Sequence, residues 1–258
     1  MPPTPAISVL ICAYNRAKFI SAAIGSVLRQ TRTDFELLVW DDGSTDDTVA
    51  IARKAAGDDP RVRIMGGPNV GFTKSCNLAA KHLTAPYLGW VDSDDAILPT
   101  ALADTSAVLD AKPDVGMVYT DYLRMDESGA VTGPGSRTKI PYSKDRLLID
   151  FMTFHFRLMR RKWFDAVGGV DESLNEAQDY DLCLKLSEVT TIEHLPKPLY
   201  LYRVHPQSIS QASRLGQIMC SREAIARAIK RRGMDREYDV ELELVGRFTL
   251  KRKASSTP

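Results

Sequence analysis

ISVLICAYNR, residues 7–16, begins as a largely apolar, β-branched run and breaks into the polar cluster Ala13-Tyr14-Asn15-Arg16. A short apolar run without strict alternation reads as a strand buried on both faces. Downstream, Ile20, Ala23, Ile24, Val27 and Leu28 recur at helical spacing within 17–30. A second apolar run, FELLVW at 35–40, stops abruptly at Asp41-Asp42-Gly43-Ser44. The spacing then predicts a helix over 45–56 that Ser44 or Thr45 would cap, with two aspartates in its first turn. A strand over 62–65, a helix over 73–83 and a strand over 87–91 follow, the last broken by Asp92-Ser93-Asp94-Asp95. A helix over 97–111 and a strand over 115–120 complete the series. Strands alternating with helices imply an α/β fold whose mainly parallel sheet has right-handed crossovers and flanking helices.

Beyond residue 121 the alternation weakens. Residues 128–141, rich in Gly, Pro and Ser, read as a surface hairpin or loop. Residues 145–167 are irregular and end at Gly168-Gly169, a helix is expected over 178–188, and a basic helix over 211–232 stops at Gly233. The expected organisation is a domain over 1–210, with halves meeting near 120, and a C-terminal extension over 211–258 whose last residues, 254–258, are disordered. That extension holds eleven Lys/Arg and six Asp/Glu. Two roles suit it: docking on an anionic membrane surface, or an ordinary solvated helix face.

Composition removes several classes. The chain has 258 residues, 44% hydrophobic and 26% charged, enough to bury a proper core. With 34 Lys plus Arg against 33 Asp plus Glu, its net charge of +1 argues against a nucleic-acid binder and against an acidic disordered chain. No stretch approaches the roughly 18–20 apolar residues of a membrane span. No basic, apolar leader precedes residue 7. The four cysteines, Cys12, Cys76, Cys183 and Cys220, form no CxxC pair, so reduced thiols are expected. These features suit a cytoplasmic protein.

In open parallel sheets ligands bind at the carboxyl ends of the strands. Polar clusters stand at three such ends: 13–16, 41–44 and 92–95. The five acidic residues at the second and third, taken as adjacent strand ends, would repel one another without a compensating cation. An all-oxygen donor set favours Mg²⁺ or Mn²⁺, whose shell is usually completed by substrate phosphates. The clusters therefore suit a metal-bound nucleotide or sugar phosphate. Asp46 and Asp47 read more simply as turn formers and helix caps. Neither a P-loop nor a dinucleotide fingerprint follows the first strand, and no GxSxG is present.

Taken together, ISVLICAYNR, FELLVWDDGSTDDT, NVGFTKSCNLA (69–79), WVDSDD (90–95), VGGVDESLNEAQDYDLCLKL (167–186) and YRVHPQSIS (202–210) resemble an inverting family 2 glycosyltransferase of GT-A fold, in the expected order from residue 7 to about 210. The resemblance implies transfer of a sugar from a nucleotide diphosphate donor, most often UDP-linked, to a hydroxyl of a glycan, lipid-linked or protein acceptor. Tyr14 would stack on the base and Asp42 would accept from the uracil ring, with Ala13, Asn15 and Arg16 in the same signature. Gly71, Lys74 and Asn77 match positions that hold the nucleotide sugar. Relatives often carry Arg where Cys76 stands, so Lys74 would supply that charge.

Asp92-Ser93-Asp94 matches the DxD motif. Asp94 would bind a Mn²⁺ or Mg²⁺ that bridges the phosphates, Asp92 and Ser93 would meet the ribose or donor sugar, and Asp95 could share either role. His205 matches a histidine that completes the metal shell; His82, His155 and His194 match nothing. Asp179 would be the base that deprotonates the acceptor, although Gln178 replaces a usual Glu, and Asp181 is the competing carboxylate. Two other functions fit parts of the pattern. A sugar nucleotidyltransferase would open with a Gly-rich basic loop after the first strand, where Cys12-Ala13-Tyr14-Asn15 stands. A non-catalytic carbohydrate-binding relative would not need both the DxD and Asp179.

Overall fold

The computed structural model describes residues 4–205 and 214–243. The expected disorder at 254–258 and the motif residues 206–210 lie outside them. Among the described residues, nine strands form one sheet in the order β3-β2-β1-β4-β8-β6-β9-β5, with β7 pairing β6 at its margin. The strands are β1 (Ile7–Ala13), β2 (Phe35–Asp41), β3 (Val62–Gly66), β4 (Tyr87–Trp90), β5 (Ala96–Ile97), β6 (Val115–Met125), β7 (Val131–Pro134), β8 (Arg157–Arg160) and β9 (Thr191–Arg203).

Every residue of β1 is buried, as its apolar run requires. Its alternating side chains enter two cores on opposite faces. Ile7, Val9 and Ile11 pack with α1 (Ile20–Leu28), α2 (Thr48–Ala56) and α4 (Ala101–Ala111). Leu10 and Cys12 pack with α3 (Phe72–Ala80), α5 (Arg161–Ala166) and α6 (Gln178–Val189). The final helix, α7 (Arg214–Arg231), inserts Ala224, Ala228 and Ile229 into that second core beside Leu182 and Leu186.

The sheet is continuously parallel through β3-β2-β1-β4. β8 runs antiparallel between β4 and β6, and a parallel β6–β9 pairing, registered from Val115–Thr191 to Met125–Arg203, closes the far side. The expectation of a mainly parallel sheet thus describes one half of a mixed one. Apolar periodicity cannot distinguish strand direction where the chain returns by an irregular path. Two further differences concern the acidic loops. β1 lies between β2 and β4, so the two aspartate clusters are separated by a strand. Ile97, expected to begin a helix, instead forms β5 with Ala96 against β9, and α4 starts at Ala101.

Candidate active site

The C-terminal ends of β1, β2 and β4 open into a cleft of about 1700 Å³ that extends to α6, α7 and residues 238–242. Its first wall is built by short polar latches. Asn15 adopts φ 52°, and its amide donates to Ser44 Oγ (2.9 Å) while its Oδ1 accepts from the Thr45 amide (2.9 Å). Asp46 accepts from the amides of Thr48 and Ala17, so it is the turn-forming residue expected. Ser44 and Thr45 serve Asn15, and α2 begins at Thr48. Asp42 is buried and holds the loop beyond β3: Oδ1 accepts from the Val70 amide and the Ser75 hydroxyl (both 2.8 Å), and Oδ2 from the Gly71 amide (3.0 Å). Gly43 is required there, because it has φ 74° and a Cβ would lie 2.7 Å from the Asn69 amide nitrogen. Ala13, Asp42, Gly71 and the 44% exposed Tyr14 line the cleft.

The DxD loop forms the centre. Asp92 N donates to the Tyr200 hydroxyl (3.2 Å), and Asp95 Oδ1 accepts from the Arg203 amide (2.7 Å). The Arg203 guanidinium donates in turn to the carbonyls of Asp94, Asp126 and Glu127. Asp94 Oδ2 lies 2.9 Å from His205 Nε2 and 3.7 Å from Arg16 Nε. The two residues matched to the metal site, 111 apart in sequence, therefore meet. Burial and the neighbouring Asp94 charge push the Asp92 carboxyl up to about 7. Burial, with Asp94 and Asp92, also pushes Asp95 upward, and Asp95 Oδ2 is buried without a hydrogen-bond partner among the described residues.

This crowd of carboxylates, relieved only in part by Arg16 and Arg157, is the environment a divalent cation neutralises. No three His, Cys, Asp or Glu side chains converge on one point among the described residues. Asp94 and His205 are the side chains that could hold such an ion, and Mg²⁺ sites commonly draw other ligands from substrate phosphates and water.

Across the cleft, Asp179 sits in the first turn of α6. Its Oδ2 accepts from Arg157 Nη2 (3.1 Å) and its Oδ1 from the Tyr180 amide (2.8 Å). Burial opposes the Arg157 charge, but Cys183 and Asp179 beside it more than restore it. Asp181 faces the other way. It is 1% exposed and paired with Lys185 (3.3 Å) and Arg231 of α7 (3.4 Å), so it is a structural anion. Glu176 Oε2 and Gln178 Oε1, both on the cleft wall, have no hydrogen-bond partner among the described residues.

Three residues expected at the donor do not line the cleft. Asn15 is the latch just described. Asn77 pins the 168–172 turn to α3: Nδ2 donates to the Val170 carbonyl (2.9 Å) and Glu172 (3.0 Å), and Oδ1 accepts from the Val170 amide (3.1 Å). Gly169, at φ 71°, leaves room for that amide; a Cβ would stand 2.6 Å from Asn77 Oδ1. Lys74 projects outward, exposed, from α3. Two residues missed by sequence reasoning, His155 and Arg157, lie between Asp92 and Asp179. Their available signal was a histidine and an arginine embedded in the apolar stretch 151–159.

Residues 8–168 match the family model described as Glycosyl transferase family 2. The chain belongs to glycosyl transferase family 2. This glycosyltransferase is 34% identical over 206 residues to the chondroitin synthase of Escherichia coli, covering 80% of this chain and 30% of that one. Against the hyaluronan synthase of Pasteurella multocida, identity is also 34%, with coverages of 80% and 21%. An O-antigen biosynthesis protein of Myxococcus xanthus is 32% identical, with coverages of 87% and 18%. The chain thus spans less than a third of the length of these relatives. Among solved structures, S. aureus TarS in complex with UDP-GlcNAc shares the fold at TM-score 0.69 and 23% identity, covering 86% of this chain and 66% of that one. The mannosyltransferase PcManGT of Pyrobaculum calidifontis, in complex with GDP-Man and Mn²⁺, does so at TM-score 0.70 and 20% identity, with coverages of 89% and 65%. The fold is the α/β GT-A fold of these glycosyltransferases.

Proposed function

We propose that this glycosyltransferase moves a sugar, with inversion, from a UDP-linked donor to a hydroxyl of a growing bacterial polysaccharide, using a divalent metal. One observation carries this reading: Asp94, backed by the buried His205, Asp92 and the Arg157-held Asp179 face a single cleft at the strand ends. The likeness to UDP-GlcNAc-bound TarS supports a nucleotide-sugar donor, and the polysaccharide synthases among the relatives support the acceptor class. With such relatives, a sugar-nucleotide-forming or purely carbohydrate-binding role has little left to recommend it.

Asp94 and His205 would hold Mn²⁺ or Mg²⁺. When bound, the ion supplies Lewis-acid stabilisation of the charge that develops on the departing diphosphate. Exposed Tyr14 offers its ring to the base at the cleft mouth. Asp179, fixed by Arg157, takes the proton of the acceptor hydroxyl as that oxygen bonds to the anomeric carbon. The bond from that carbon to the diphosphate oxygen breaks on the opposite face, and the leaving group keeps the electron pair. Glu176 and Gln178 offer free acceptor oxygens to the sugar hydroxyls arriving on this side. We place the chain in the cytoplasm. The described part of the C-terminal segment, 214–243, is better read as a packed helix than as a membrane anchor, since Arg227, Arg231 and Arg232 pair with Asp171, Glu188 and Asp145. Replacing Asp179 with Asn tests the assignment: UDP still binds with Mn²⁺, while transfer falls about 10²–10⁴-fold. Unchanged transfer would refute it.

A further inference from the structure

His155 and Arg157 belong to no motif of the family resemblance, yet they occupy the space between the two halves of the site. Both are 7% exposed. Arg157 Nη2 lies 3.1 Å from Asp179 Oδ2 and 3.3 Å from His155 Nδ1, so one guanidinium nitrogen touches both. On its other side, His155 Nε2 lies 3.3 Å from Asp92 Oδ2. The imidazole is held flat on the Tyr200 ring (centroids 4.8 Å, 18°), and the Tyr200 hydroxyl accepts from the Asp92 amide. Arg157 is held independently, by donation to the Thr153 carbonyl and contact with Cys183 Sγ.

The chemistry of the groups fixes the protons. A guanidinium has only donors, so His155 Nδ1 must be the acceptor. A neutral imidazole that accepts at Nδ1 carries its proton on Nε2, which here faces Asp92. Burial, with Arg157 and Arg137 nearby, holds His155 well below its usual range and therefore neutral. Arg157 thus donates both ways, to Asp179 and to His155, and the Nε2–H side of His155 lies 3.3 Å from Asp92, so the four side chains form one polar row along the cleft.

We infer that His155 and Arg157 are positioning residues that couple the carboxylate at the donor sugar to the base, so that seating the donor and aiming Asp179 are a single event. The inference rests on reading Asp179 as the base. Misplacement of a reacting group by about 1 Å can cost on the order of 10²-fold in rate, so a relay that fixes Asp179 acts on turnover more than on binding. A histidine that merely filled space would act on stability instead.

Two measurements on the full chain test this. In ¹⁵N-histidine NMR of the wild type without ligands, His155 is expected as the neutral Nε2–H tautomer; an Nδ1–H tautomer, or an imidazolium, would overturn the relay. In the second, release of UDP from UDP-GlcNAc and of GDP from GDP-mannose is followed with Mn²⁺ for wild type, His155→Phe and His155→Gln. Phe keeps the stacking on Tyr200 and loses both polar links, whereas Gln can accept from Arg157 and donate to Asp92. His155→Phe should lower kcat at least tenfold with KM for the donor within about threefold, and His155→Gln should recover most of it. Wild-type turnover in His155→Phe, or a Gln variant no better than Phe, would overturn the inference while leaving Asp179 as base. A wild type that binds neither UDP nor GDP with Mn²⁺ would instead sink the functional reading, and the tautomer would still report on the relay.

Discussion

Asp92 and Asp94 are two residues apart and answer to different partners, one to a buried neutral histidine and the other to His205 and Arg16. This asymmetry gives Asp92 a testable pH behaviour. Its carboxyl is raised to about 7 in the folded chain by burial and by Asp94, against an ordinary value of 3.8. A raised carboxyl binds its proton more tightly folded than unfolded. Its contribution to stability is therefore present below about pH 4 and is lost progressively as pH rises towards 7. Asp92→Asn removes that loss. By scanning calorimetry of the metal-free protein, the Tm gain of Asp92→Asn over wild type should grow from pH 5 to pH 8; a gain that shrinks over this range would contradict the assignment. Asp179 and Asp181, both in the first turn of α6, separate just as cleanly. Asp181→Ala leaves Lys185 and Arg231 facing an empty site and should cost about 3–5 kcal/mol of stability. Below its Tm the variant should keep turnover within a few-fold of wild type, whereas Asp179→Asn, whose amide oxygen can still accept from Arg157, loses turnover.

Elements explain why some residues were legible in the sequence and others were not. β1, β2, β4 and α6 announce themselves by local pattern: apolar runs ending in acidic turns, then a helix whose N-terminus carries Asp179. Their loops therefore placed Tyr14, Asp42, Asp92, Asp94 and Asp179 at the cleft in advance. Asn15 and Asn77 carry motif spacing too, but motif spacing cannot tell a residue that touches a ligand from one that shapes the loop which does. Asn77 makes three hydrogen bonds to the 170–172 turn. Asn77→Ala should accordingly lower stability by about 1–3 kcal/mol and leave UDP affinity within about twofold, as read by thermal denaturation and calorimetry. A selective loss of affinity would return Asn77 to the donor site. β8 was illegible, because it is short, antiparallel and reached through irregular chain, and Arg157 and His155 were hidden with it. The sequence marks α7 as part of a basic C-terminal extension. In the structure its small residues are core: Ala228 is fully buried beside α6. Ala228→Leu should cost about 1–3 kcal/mol through overpacking.

At the scale of the molecule, a sheet that is parallel on one side and mixed on the other divides the labour. The parallel half presents three loop ends to the cleft. The mixed half brings Arg157 on β8 and Arg203 on β9 up against the DxD loop, and delivers His205 just beyond. α7 and residues 238–242 then wall the far end, where an acceptor chain would lie. The account depends on one claim above the others, that the acidic centre of this cleft binds a metal–nucleotide complex through Asp94. Calorimetric titration of UDP, and of GDP, with and without Mn²⁺, into wild type and Asp94→Ala tests it directly. The account predicts UDP binding that requires Mn²⁺, exceeds that of GDP and is lost in Asp94→Ala. UDP binding indifferent to both Mn²⁺ and Asp94, or no binding of either nucleotide, would contradict it.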